Sequence, residues 1–594
     1  MIGRRARPAG GARAAILVGL AASFVAAVDL VRAVRPRLFF DPEAGWAMPR
    51  LFLGLALAAA AAGAGLLAAA AFRWLAATPL LSAALEPLAV TARAAALVAA
   101  IALAAGIAVR VAAARTLVLP FLEDEVNLVG PSLRLTGTGR DFADAIRPIP
   151  YGRPDPHEMI GVAYLRLLRR SLDAFGPTAW AIRLPSLAGG VLSLVTAALL
   201  GRALLPRGGG ALTALALAGL RWHLILSVSG WHSILLAPLL DVAALLLLRA
   251  RRTGAEWIAA GAGAVAGLGA HLYLAAWVGG SGLLLFSLWP ADAAGALRRR
   301  ISRAVLFAGG FALAAAPLFL FAEGRRIPYF GRAERHSVAR EMRFAGSPLP
   351  LLSAAADSFA APWFLPDPEG RHDLAGASRL GWIVGVPFAI AMARALAAPR
   401  EPLSALLLSH AAAGFAGAAA SGQAGHPNGF RFGYLTTATA VAAAAGTLAL
   451  LGLAAPRLRR AAALAAIGAL LVSGLRGAIQ ATVLWPANRA TFDSFHGEDT
   501  LLGQSAARWE AQGAVRVARG LGRSDLTIDT VRRFRLELPA ESLPAPAFAA
   551  PRSFRIASPG ALPEPGERPV ERVRDEWGRA WGTVFGRPGR SRAS

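Results

Sequence analysis

The stretch FLEDEVNLVG, residues 121 to 130, sets Glu123, Asp124 and Glu125 side by side directly after a strongly apolar run. Charged groups beside a bilayer are expensive to dehydrate, so three carboxylates there need a watery cavity or a role. A carboxylate in such a place can act as a general base, or it can favour the N-terminus of a following helix, where the helix dipole attracts negative charge. Other polar clusters punctuate the chain: RPDPHEMIGVAY (153–164), AIRLPSLAGG (181–190), SGWHS (229–233), HLYLAAW (271–277), EGRRIPYFGRAERH (323–336), PDPEGRHDL (366–374) and GHPNGFRFGY (425–434). Their arginines and histidines suit phosphate or carboxylate partners.

The elements that must hold these clusters are membrane helices. Of 594 residues, 56% are hydrophobic and 16% charged, and the mean hydropathy is +0.50, outside the usual range of soluble domains. Apolar runs of roughly 17 to 25 residues, each able to cross about 30 Å of hydrocarbon, recur to about residue 483. About thirteen spans are expected, near 14–31, 51–71, 93–115, 179–204, 209–226, 229–248, 256–274, 275–290, 304–322, 379–397, 402–420, 432–455 and 461–482. The fold class is therefore an all-α polytopic membrane protein with a small extracytoplasmic α/β or partly disordered C-terminal tail.

The net charge of +26 comes entirely from arginine, since the chain has no lysine. Most of these arginines flank membrane segments, which leaves no practical face for nucleic acid. Zero cysteines exclude disulfides, thiolate catalysis and Cys-ligated zinc. Arg in short loops marks the cytoplasmic side. Arg249, Arg251 and Arg252, then Arg298, Arg299, Arg300 and Arg303, then Arg457, Arg459 and Arg460 fall on one side if the spans alternate. Loops 116–178 and 323–378, the short loop 421–431 and the tail then share the outer side, with every His except His410 at or near it. The Arg-bearing loop 32–50 opposes this assignment, but removing the first two spans as a pair leaves the later ones unchanged.

Three regions follow. Residues 1–92 carry two extra transmembrane helices, 93–483 form the transmembrane core, and 484–594 form an extracytoplasmic C-terminal region. Within the last, 500–513 reads as a short amphipathic helix, LTIDTVRRFRLEL (526–538) alternates loosely like a strand, and the Pro-rich sequence from about 539 reads as poorly ordered.

In their order these clusters resemble the GT-C glycosyltransferases, multi-pass enzymes such as the protein O-mannosyltransferases and the aminoarabinose transferases. DEVNLVGPSLRLTGTG (124–139) resembles the start of their first outer loop, where an Asp-Glu pair precedes a helix running to a Thr-Gly turn. GPTAWAIRLPSLAGG (176–190) resembles their R-L-P-S segment. FLPDPEGRHDLAGASRLGW (364–382) is similar to their Arg-His-Asn loop, and GHPNGFRFGYLTTATA (425–440) to their late arginine loop. HEMIGVAY (157–164) keeps the Glu and Tyr of a further loop but not its Lys and Pro. Two departures stand out: Ser229 is followed by Gly230 where relatives place an arginine, and His372 by Asp373 in place of Asn.

The resemblance implies a polyprenyl-phosphate sugar donor and transfer to a glycan, lipid or protein acceptor on the extracytoplasmic side of a plasma (inner) membrane. Asp124 is the candidate base, and Glu125 would orient it or the acceptor. Arg371, His372 and Arg431, with Arg183 and Arg147 behind them, are candidates to stabilise the leaving phosphate. Glu123, Glu158, Tyr164, Trp231, His232, Tyr273 and His426 are expected to line the substrate site. Glu158 with His157 or His336 is the candidate for a divalent metal, on ligand chemistry alone. Each has a plainer reading. Arg183 could pair with a loop carboxylate, Arg371 and His372 could form a solvated turn, and the helix-end aromatics could be interfacial belt residues. At the level of the whole chain the alternatives are a transporter or flippase for lipid-linked saccharides, or a membrane scaffold. A transporter should carry its ionisable groups or helix breaks near mid-membrane, where Arg110, Asp241 and His410 are the main candidates.

Overall fold

The computed structural model describes residues 92–116, 121, 123–137, 141–144, 146–148, 157–159, 161–290, 296–362, 370–421, 429, 431–536 and 552–587. The two N-terminal helices expected at 14–31 and 51–71 lie outside the described residues.

Helix α1 (Ala92–Thr116) leads into the short helices α2 (Glu123–Asn127), α3 (Val129–Arg134) and α4 (Asp141–Asp144). A small hairpin, β1 (Ile146–Pro148) and β2 (His157–Met159), and the amphipathic helix α5 (Val162–Phe175) complete this outer loop. Then come α6 (Ala179–Leu204), α7 (Gly209–Ala218), α8 (Arg221–Val228), α9 (Leu236–Thr253), α10 (Ile258–Leu268), α11 (Ala276–Leu288) and α12 (Ala296–Gly324). A second loop carries α13 (Gly331–Arg335), α14 (Val338–Ala345) and α15 (Leu349–Ala360), followed by α16 (Gly381–Ala397), α17 (Pro402–Ala420), α18 (Leu435–Leu453) and α19 (Arg459–Ile479).

Among the described residues, seven helices are long and apolar enough to cross a bilayer, or eight if α7 and α8, bent by 63° at their junction, count as one broken span. The chain is thus a polytopic helical membrane protein. Several expected spans prove shorter. The runs at 256–274 and 275–290 break at a 3-10 turn, Gly269–His271, leaving an α10 of 11 residues that reaches only about 16 Å. Glycine makes α10 part of the core all the same. A Cβ on Gly263 would lie 1.9 Å from the Phe307 carbonyl oxygen, and one on Gly310 2.0 Å from that of Ala260, so α10 and α12 cross backbone to backbone.

Two ionisable residues inside the bundle, Arg110 and Asp241, tie helices together, and a third, His410, bonds within its own helix. Arg110 donates to the carbonyls of Leu217 (3.2 Å) and Ala218 (3.3 Å), the end of α7 left open by the break. Asp241 accepts from the hydroxyls of Thr196 and Thr437, both at 2.8 Å, and so joins α9, α6 and α18. The His410 ring meets the Leu406 carbonyl on its own helix at 3.1 Å.

Beyond α19 the chain forms a second layer: α20 (Arg489–Ser494), α21 (Gly497–Glu510), β3 (Gly513–Val517), α22 (Asp525–Phe534), β4 (Arg552–Ala557), β5 (Arg568–Arg574) and β6 (Ala580–Arg587). The strands make one sheet in the order β3-β4-β6-β5, parallel only between β3 and β4. Leu502, Trp509, Val515, Phe554, Ile556 and Val584 fill its core.

Two expectations are corrected here. Residues 525–534 are a helix rather than a strand: Ser524 caps its start, accepting from the Thr527 amide at 3.2 Å. The buried Ile528 and Val531 are three apart, a helical period. Residues 552–587, expected to be poorly ordered, form three of the four strands, while 537–551 lie outside the described residues.

The turn between β4 and β5 hangs on Glu567, which accepts from Arg555 at 2.6 Å and from the Glu564 amide at 2.8 Å. The Arg555 hydrogen bond holds the Glu567 carboxyl below its ordinary value of 4.5, against burial. A carboxyl with a depressed folded value contributes stability that is full above the ordinary value and is lost as pH falls through the folded one. The turn at 558–567 should therefore resist an acid-tolerant protease at about pH 5 and be cut faster at about pH 3. Arg555→Gln should be cut readily at both.

Candidate functional site

Helix α2 is five residues long, too short to be stable alone, so its place must come from its neighbours. Glu125 supplies the main tie. Its carboxylate takes a bidentate ion pair from Arg183 of α6, with Nε to Oε1 at 3.0 Å and Nη2 to Oε2 at 3.1 Å, and both side chains are fully buried. The Gly230 amide donates to the same Oε1. Arg183 also lies over the Phe121 ring, 5.5 Å from its centroid.

At the first departure in the sequence, a Cβ on Gly230 would sit 3.0 Å from Glu125 Cγ and 3.0 Å from Ile182 Cγ2, so a side chain at 230 would press on both. The cation facing Glu125 is Arg183 of α6, which takes the plainer of its two expected roles, the partner of a loop carboxylate.

The turn after α8 is fixed from two further sides. The Tyr164 hydroxyl donates to the Gly230 carbonyl, and the Ser186 hydroxyl to that of Trp231, both at 2.8 Å. Around this turn the structure gathers four of the expected lining residues. His232 lies 4.2 Å from Trp231, 4.8 Å from Tyr273 and 5.4 Å from Tyr164, ring centroid to ring centroid. Trp231, His232 and Tyr164 are buried, so Trp231 and His232 lie inside the protein and outside an interfacial belt. Burial raises the Tyr164 hydroxyl well above its ordinary value, and it stays a neutral donor.

A second cluster stands at the other end of α8. Asp373 accepts from Arg221 at 2.5 and 3.0 Å, and Arg221 also donates to Gln480 at 2.7 Å and to the Ser378 carbonyl at 2.6 Å. This explains the second departure, because a carboxylate at 373 answers a buried arginine. The pair holds the loop bearing Arg371 and His372 against α8 and the end of α19. Gly429 lies beside it: its carbonyl accepts from Trp222 Nε1 at 3.2 Å. A Cβ on Gly429 would meet His372 Cβ at 3.0 Å and Arg379 Nη2 at 3.7 Å. Arg431 is two residues further on and donates to the Ser421 carbonyl at 3.5 Å. The Arg371–His372 loop and the 429–431 segment thus come together, and Arg379, whose guanidinium lies 5.8 Å from the Trp222 ring centroid, joins them. Sequence reading missed Arg379, Arg221 and Trp222. The only available signal was their clustering with aromatics at an apolar boundary, which is common in this chain.

The two clusters occupy opposite ends of α8, an eight-residue helix about 12 Å long. Glu123 and Asp124 share α2 with Glu125, but their side chains lie outside the described residues, as do those of Arg147, His157 and Glu158. The β1–β2 register sets Arg147 opposite Glu158 along the backbone. His426 is outside the described residues. His336 is half-buried between α13 and α14. Among the described residues no group of three His, Asp or Glu converges to hold a metal ion. The Thr136–Gly137 turn exists as expected: both amides donate to Asp141, at 3.2 and 3.1 Å, and Arg166 pairs with the same carboxylate.

No protein-family model matches the chain and no curated protein matches it. Solved structures similar to it include ArnT from Cupriavidus metallidurans in the apo state, with TM-score 0.48 and 15% identity over 83% of this chain and 97% of that one. The same ArnT bound to undecaprenyl phosphate gives 0.46 and 14% over 83% and 97%. The archaeal oligosaccharyltransferase AglB from Archaeoglobus fulgidus, in complex with an inhibitory peptide and a dolichol-phosphate, gives 0.46 and 14% over 77% of this chain and 61% of that one. Likeness at this level leaves function to be argued from the residues.

Breaking a buried ion pair by removing one partner typically costs about 3–5 kcal/mol, whereas replacing both with packed neutral groups is far less costly. Glu125→Gln and Arg183→Met should each lower the unfolding temperature of the detergent-solubilised protein markedly. The double variant should recover a large part of the loss. Additive losses in that thermodynamic cycle would show that the two side chains do not interact.

Proposed function

We propose that this chain is a GT-C-like membrane glycosyltransferase that moves a sugar from a polyprenyl-phosphate-linked donor to a glycan, lipid or protein acceptor on the extracytoplasmic side of a plasma membrane. The observation that carries the reading is the placing of an acid-bearing helix and a cationic loop cluster at the two ends of α8. That spacing suits a sugar phosphate reached from both sides.

In this reading Asp124 takes the proton of the acceptor hydroxyl as its oxygen forms a bond to the anomeric carbon. The bond from that carbon to the phosphate oxygen breaks, and its electron pair leaves with the lipid phosphate. Arg371, His372, Arg379 and Arg431 supply the positive charge that stabilises this leaving group. Glu125 and Arg183 position α2, so that Asp124 meets the acceptor without having to reorganise. The aromatic group of Trp231, His232 and Tyr273 shapes the wall beside it. One base and a phosphate leaving group suffice for direct displacement with inversion.

The transport reading draws on one feature, the discontinuous span α7–α8. Against it, the open carbonyl end of α7 is occupied by Arg110, which makes the break a tied joint.

The test uses purified protein with labelled polyprenyl-phosphate sugars and candidate acceptors. Asp124→Asn should lower kcat by roughly 10²–10⁴ with little change in donor KM, and Arg379→Gln should raise donor KM. Equal transfer by wild type and Asp124→Asn would remove Asp124 from the mechanism. No transfer by wild type from any donor, with uptake of the lipid-linked sugar into vesicles, would establish transport instead.

A further inference from the structure

The buried face of helix α22 and the turn that follows it are divided between two cores. Ile528 belongs to the core of the C-terminal sheet layer. Val531 and Leu536, both fully buried, belong instead to the membrane-core cluster that also contains Phe121, Val126 and Leu128, and Phe534 packs against that cluster. The route to Leu536 is built for this purpose. Arg535 adopts a left-handed conformation, φ 50°, which ends the helix and turns the chain back. The Leu536 amide then donates to the Val531 carbonyl at 3.2 Å, and its own carbonyl accepts from Gln504 of α21 at 3.3 Å.

Helix α22 packs against α21 in its own layer and, across from it, against α2, the five-residue helix that carries Glu123, Asp124 and Glu125. A helix of that length has no stability of its own. One tie comes from the membrane bundle, where Arg183 grips Glu125. The other comes from the C-terminal layer.

We infer that the C-terminal layer is a working part of the site: Val531 and Leu536 of the α22 segment position the acid-bearing helix α2. They are positioning residues, acting on chemistry through α2 without touching substrate. The inference rests on the glycosyltransferase reading for its effect on rate, but not for its effect on α2 itself. With α2 held only by Glu125, Asp124 would sample orientations that do not meet the acceptor hydroxyl. Displacement of a base by a small distance loses rate while donor binding, set by the cluster around His372, is kept.

The full-length protein in detergent or nanodiscs is compared by amide hydrogen exchange and by transfer kinetics. Leu536→Ala should speed exchange across residues 123–127 at least tenfold while the β4–β6 strands keep wild-type protection. It should also lower kcat about tenfold with donor KM within twofold. Leu536→Met, which keeps the volume, should restore both. Ile556→Ala, a comparable truncation in the sheet core, should leave residues 123–127 unaltered. Wild-type exchange at 123–127 in Leu536→Ala, or equal acceleration by Ile556→Ala, would overturn the inference. Exchange at 123–127 needs no turnover, so a chain that transfers no sugar would defeat the glycosyltransferase reading and still leave this test decisive.

Discussion

The buried ion pair between Glu125 and Arg183 is the constraint on which the rest of the site depends. A paired charge in a protein interior gains little net stability over a packed apolar pair, because both ions must be dehydrated. What it gives is intolerance of displacement. Moving either group strands a charge in a low-dielectric core, so the geometry is held by the cost of leaving it. Here that cost is applied to one of the shortest helices among the described residues, α2, and extends through the Gly230 amide to the turn after α8. Tyr164 and Ser186 fasten the same turn from α5 and α6. An acid-rich segment is thereby fixed at the edge of a membrane bundle.

Helix α8 extends the same logic to the second cluster. Its first residue, Arg221, meets Asp373 and Gln480, and its second, Trp222, meets Gly429. Loops far apart in sequence are held against one short rod. Near its middle, Ser227 and His223 interact with Arg110 of α1 at 3.3 and 2.6 Å, and Arg110 also closes the end of α7. The ionisable groups inside the bundle are therefore used to fasten a broken helix and its neighbours. An ion path would require them to be accessible, and Arg110, His223 and Asp241 are all buried.

Much of the architecture was legible in the chain. The long apolar runs at 179–204, 402–420 and 461–482 coincide with helices within a few residues, because hydropathy over a full span is a strong signal. Tyr164, Trp231, His232 and Tyr273, which the sequence places in polar clusters sharing one side of the membrane, do gather. Other features were hidden for physical reasons. The strand expected at 526–538 failed because alternation over so few residues does not exclude a helix, and the cap at Ser524 and burial of Ile528 and Val531 decide it. The runs at 256–274 and 275–290 hold helices shorter than expected, because hydropathy does not register the 3-10 turn at Gly269–His271 within the first. Arg183 and Asp373 could not be assigned partners in advance, since Glu125 is 58 residues from Arg183 and Asp373 is 152 from Arg221. The departure at Asp373, which looks like a loss in a linear comparison, meets a buried arginine once Arg221 is seen.

The central claim is spatial: the acids of α2 and the cations at 371–379 and 431 border one chamber that holds a lipid phosphate. The most direct measurement is the structure of the protein in a lipid nanodisc with bound polyprenyl phosphate. The account predicts the phosphate in hydrogen-bond contact with at least two of Arg371, His372, Arg379 and Arg431, on the side of α8 that faces α2. A phosphate bound elsewhere, or one separated from α2 by packed protein, would contradict it.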